Sequence, residues 1–150
     1  LGKPEIELAR NTFAERVNRP AQGWQQNAIQ AALLGLTDEA AEMVKSEFNT
    51  KHPDSRFPAF WGPNYDWVPD QCHGSVSMRA LQNMLIQSES DTITMFPAWP
   101  KEWNVKFKLH APQNTVIEGE LRDGTVVTLN VTPAERKDAV VMGAGFTAPE

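Results

Sequence analysis

Between residues 54 and 70 the chain places Phe57, Phe60, Trp61, Tyr65 and Trp67, five aromatics within eleven positions, among Asp54, Arg56, Asn64, Asp66 and Asp70. Aromatic faces beside amides and carboxylates suit a saccharide, because the C–H face of a sugar stacks on a ring while its hydroxyls need paired donors and acceptors. Trp61, Tyr65, Asp66 and Trp67 are therefore candidate substrate-binding residues. A plainer reading is that the rings anchor a long loop to the core, since a loop longer than ~12–15 residues needs packing of its own or a function.

The segment Asp70-Gln71-Cys72-His73-Gly74 closes this loop ahead of a helical pattern. Backbone N–H groups at such a junction favour an ionised carboxylate, which makes Asp70 a candidate general base. Asp70 as a helix-capping acid and His73 as a satisfied imidazole is the structural alternative; otherwise His73 joins the sugar-binding set. Cys72 reads as a small buried thiol rather than a nucleophile.

Other chemistries lack their residues. Ser75 and Ser77 have no GxSxG setting, and no GxGxxG or GxxxxGK[ST] run occurs. His52, His73 and His110 fall on three different elements without HExxH spacing, and one cysteine excludes CxxC sites, so neither a metal nor a cofactor is expected. The chain has 150 residues and a net charge of −5, from 14 basic and 19 acidic side chains. With no Lys/Arg run it offers no footprint for a phosphate backbone, which argues against a nucleic-acid partner. The most apolar window, residues 28–36, still holds Gln30 and Gly35 and falls short of the ~18 apolar residues of a membrane span.

The elements that must position the aromatic loop follow from periodicity. Ile6, Ala9, Phe13 and Val17 recur at helical spacing over residues 5–17, and Asn18-Arg19-Pro20 stops that helix. A second helix runs over residues 24–34 with Gly35 at its C′ position; Thr37 reads as the N-cap of a third, whose buried stripe is Ala40, Ala41, Val44 and Phe48. So short a link makes these two an antiparallel helical hairpin. Pro53, Pro58, Pro63 and Pro69 forbid a continuous helix or a central strand over residues 51–72, which read as a long ordered loop, and a further helix is expected over about residues 74–88. Beyond it the period drops to two. Val105, Phe107 and Leu109 alternate with Lys106, Lys108 and His110, and Asp123-Gly124 between two β-rich runs marks a hairpin, with one more strand expected over residues 139–142. The resulting fold class is α+β, helical hairpins followed by an antiparallel β domain.

Gly23-Trp24, Gly35-Leu36-Thr37-Asp38-Glu39-Ala40, the loop ending at Gly74, Met84-Leu85-Ile86-Gln87-Ser88, Ile93-Thr94-Met95-Phe96-Pro97-Ala98-Trp99-Pro100 and Trp103 occur in an order that resembles the C-terminal part of glycoside hydrolase family 95 and its gut-bacterial relatives. The resemblance covers about residues 20–135. It implies a six-hairpin α/α toroid followed by a β domain, with residues 1–90 as the last toroid hairpins and residues 91–150 as the β domain. It further implies inverting hydrolysis of α-linked fucose or galactose. In that family the aspartate of an Asp-Gly-Asn-Phe-Gly loop is the general base; Asp70 and Gly74 match its first and last positions, while Gln71, Cys72 and His73 occupy the middle three.

A whole toroid of twelve helices would exceed this chain about twofold. The start at Leu1-Gly2-Lys3-Pro4 therefore reads as a cut, and the resemblance implies a general acid upstream, in the remainder of the toroid. The resemblance implies a periplasmic or secreted parent, an oligosaccharide substrate and an inactive isolated chain. Self-association through exposed helix faces is a further expectation. The competing reading is a non-catalytic carbohydrate-binding or protein-interaction module with a packed aromatic loop.

Overall fold

A computed structural model describes residues 1–21, 25–49 and 72–149. Helices come first and strands follow, an α+β arrangement in two compact units, Leu1–Met84 and Leu85–Glu150.

Four helices are present among the described residues: α1 (Ile6–Ala14), α2 (Asn27–Leu33), α3 (Thr37–Asn49) and α4 (Cys72–Leu85). α1 stops short of Val17, which is fully exposed, and buries Phe13 alone. Arg10 fastens it to the end of α2, its Nε donating to the Leu34 carbonyl at 2.9 Å, and Asn27 Nδ2 donates to the Pro20 carbonyl at 2.8 Å. α2 closes in a Schellman turn. Gly35, at φ 69°, donates its N–H to the Ala32 carbonyl, and the Leu36 N–H reaches the Ala31 carbonyl, both at 3.0 Å. A left-handed residue is required there, and glycine takes that conformation without Cβ strain. The chain turns straight into α3, where the Ala40 N–H donates to the Leu36 carbonyl at 2.9 Å. Leu36 is therefore the capping position, and Thr37 is the first helical residue instead of the expected cap.

The expected helix over residues 74–88 ends earlier. At Leu85 the backbone changes to β1 (Ile86–Glu89), which pairs antiparallel with β2 (Thr92–Met95) around Ser90-Asp91. Met84, Leu85 and Ile86 are three consecutive apolar residues whose spacing fixes neither period, and the partner strand decides between them.

β3 (Val105–Ala111), β4 (Thr115–Arg122) and β5 (Thr125–Thr132) form an antiparallel sheet, with Asp123 (φ 48°) and Gly124 (φ 76°) in the tight turn that the Asp-Gly signal predicts. Asn104 braces this turn, its Oδ1 accepting from the Asp123 N–H at 2.8 Å. β6 (Val140–Met142) follows a 3-10 turn and lies parallel to β2, so the β unit is not wholly antiparallel. Register puts Phe107 opposite Gly119 and Leu109 opposite Ile117 on one face, while Lys106–Glu120 and Lys108–Glu118 face the other way.

Phe96 organises the core of this unit. Its ring stacks on Phe146 at 4.8 Å between centroids and meets Phe107 edge-on at 5.9 Å. The residue sits at φ 56°, a conformation costing a bulky side chain about 1–3 kcal/mol, and its N–H donates to the Leu85 carbonyl at 2.7 Å. Gly143 closes over it, donating to the Met95 carbonyl at 2.7 Å. A Cβ at Gly143 would lie 2.4 Å from the Phe96 carbonyl oxygen, which is backbone and cannot swing aside. Gly143→Ala should therefore destabilise the β unit by about 3 kcal/mol, the upper part of the overpacking range. Denaturant unfolding measures this, and a loss within 0.5 kcal/mol (about the experimental scatter) would refute it.

Candidate functional site

Trp61, Tyr65, Asp66, Trp67 and Asp70 lie outside the described residues. His73 is the second residue of α4, and the backbone enters that helix two positions after Asp70 in sequence.

α4 has two chemically distinct faces. Ser77, Ala80 and Met84 point inward and are buried. Ser75, Met78, Arg79 and Gln82 recur at three- and four-residue steps on the opposite side, where with Gln26 and Ile29 they line an open groove of about 620 Å³. Its floor is apolar, and its rim supplies amide and guanidinium donors that hydroxyl-rich ligands could use. Among the described residues no cluster of three or more His, Cys, Asp or Glu side chains could hold a metal ion. No described helix is long and apolar enough to cross a membrane.

The inward side of the helical unit carries an ionisable group that the periodic reading passed over. Glu47 of α3 is 0% exposed, whereas Phe48, the expected core residue, is 38% exposed. Ala40 and Val44 are buried on the same stripe, and a stripe continued from Val44 can step by three to Glu47 or by four to Phe48. Glu47 takes the inside place. Neither of its carboxylate oxygens has a hydrogen-bond partner of regular geometry. Burial pushes its pKa up to about 7, and the nearby Ser77 hydroxyl opposes that rise only in part. Near neutral pH Glu47 can therefore hold or release a proton, although its burial keeps it from an external substrate.

The chain matches no protein-family model and no curated protein.

Proposed function

We propose that this chain is the C-terminal portion of an inverting α-glycosidase acting on fucose- or galactose-like residues of an oligosaccharide. Asp70 serves as general base, and Trp61, Tyr65, Asp66, Trp67 and His73 contribute to the sugar cleft. The observation that carries this reading is the aromatic and acidic segment from Phe57 to Asp70 running directly into α4. A base must share its cleft with the stacking platform, because both act on one sugar and its attacking water. The remaining resemblance bears on architecture. Met84 is buried in the helical unit, and Leu85, Ile93, Met95, Phe96, Ala98 and Trp99 are buried in the β unit, so these residues serve packing rather than chemistry.

An inverting mechanism needs a second carboxyl group ~6.5–9.5 Å from the base, with a water between base and sugar. This reading assigns that acid to the remainder of the parent toroid. The test is hydrolysis of α-fucosides and α-galactosides by the longer polypeptide, followed by NMR during the first turnovers. A β-anomeric first product supports the proposal, and an α-anomeric product or no hydrolysis of either class rejects it.

One observation favours a second reading. Gln71-Cys72-His73 replaces the family's Gly-Asn-Phe between Asp70 and Gly74, which suits a cleft that binds saccharide without cleaving it. Saccharide binding by the longer polypeptide without turnover would select that reading.

A further inference from the structure

We propose that two copies of this chain pair antiparallel through the exposed face of α1, in a register set by Glu5 and Arg16. Leu8 is 69% exposed on this helix, and Leu33 of α2 is 46% exposed beside it. Between the two helices runs an open, almost wholly apolar groove of about 560 Å³, walled by Leu8, Ala9, Phe13, Leu33 and Leu34. Apolar surface of this kind gains free energy when covered, in proportion to the area removed from water.

Charge arrangement identifies the covering element. Glu5, Leu8, Thr12 and Arg16 are three or four residues apart and form a single stripe down the groove. The stripe opens on an acidic side chain just ahead of α1, carries Leu8 and Thr12 along the helix and ends on a basic one just beyond its last turn. A two-fold axis crossing α1 between the levels of Arg10 and Asn11 would set Glu5 of one copy against Arg16 of the other, twice. It would also set Leu8 of each copy over the apolar groove of the other. A parallel pairing would instead set like charges together. The antiparallel arrangement also opposes the two helix dipoles favourably.

Both charged groups are disposed for this contact. Arg16 donates to Gln30 of α2 and lies over the Phe13 ring at 5.8 Å, which holds its guanidinium at the groove rim. A guanidinium has five donors, so that bond leaves capacity for a carboxylate. Glu5 precedes α1 and makes no side-chain capping bond. A single helix face is small beside the ~1,200–2,000 Å² of a stable interface, so the dimer should be weak and concentration-dependent.

Sedimentation of the 150-residue chain up to about 1 mM at low salt tests the proposal. Dimer should accumulate with concentration, and Leu8→Glu should abolish it. Glu5→Arg or Arg16→Glu alone should each weaken association at least about tenfold, because either change creates two like-charge contacts. The double reversal should return within about threefold of the starting chain, since opposite charges again face each other. Circular dichroism confirms that each variant is folded. A monomer at the highest concentration, as expected if another segment covers this face, would overturn the proposal. So would a double reversal as weak as the single changes, or association unaffected by Leu8→Glu.

Discussion

Asp70→Asn in the longer polypeptide should lower kcat by about 10²–10⁴-fold, the contribution typical of a positioned general base, while saccharide affinity stays within a few-fold. Asparagine keeps the size and hydrogen-bonding reach of aspartate but cannot accept the proton of the attacking water. Loss of the base therefore falls on the transition state rather than on ground-state binding. Trp61→Ala and Trp67→Ala should show the opposite pattern, weakening binding first through loss of a stacking face. Steady-state kinetics on the three variants, with saccharide titrations followed by tryptophan fluorescence, separate the effects. Unchanged kcat in Asp70→Asn would remove Asp70 from the chemistry.

Glu47→Gln should raise the stability of the helical unit by about 3 kcal/mol at pH 8 relative to its value at pH 4, compared with the unsubstituted chain. In the unfolded chain the Glu47 carboxyl titrates at its ordinary value of 4.5, whereas in the fold burial pushes it up to about 7. The folded state thus holds the proton more tightly. Below the unfolded value both states are protonated and the group favours neither. As pH rises from about 4.5 to 7 the unfolded chain releases its proton first, and native stability falls through that window. Above it both states are ionised, and the fold carries a buried carboxylate without a regular hydrogen-bond partner. Glutamine has the same shape without the charge and should remove this slope. Denaturant melts of both proteins at pH 4, 6 and 8 isolate the contribution, since other titrating groups cancel in the difference. Parallel pH profiles would mean that the Glu47 carboxylate is solvated in the folded state.

Local signals in the chain determine much of what is observed. The Schellman turn at Gly35 and the tight turn at Asp123-Gly124 follow from conformations that few residues tolerate, so they can be read without knowledge of neighbours. The α2–α3 hairpin follows from the short link, and the alternation of Val105, Phe107 and Leu109 with lysines follows from a period of two. The aromatic and acidic composition of residues 57–70, which carries the functional proposal, is likewise a property of the sequence.

Other features depend on contacts between residues far apart in the chain, and no local pattern encodes them. α4 stops at Leu85 because Ile86–Glu89 has a strand partner, although the apolar spacing there also allowed a helix. β6 runs parallel to β2 because the chain returns to that edge through a 3-10 turn, a topological choice invisible in three residues of strand. Phe96 accepts a left-handed backbone because Phe107, Phe146 and the bare backbone of Gly143 surround it. Tertiary packing also chose Glu47 over Phe48 for the interior, since a helix of 3.6 residues per turn brings positions three and four apart almost equally onto one face. Periodicity locates a face; which of two adjacent side chains is sealed from water is decided by what packs against it.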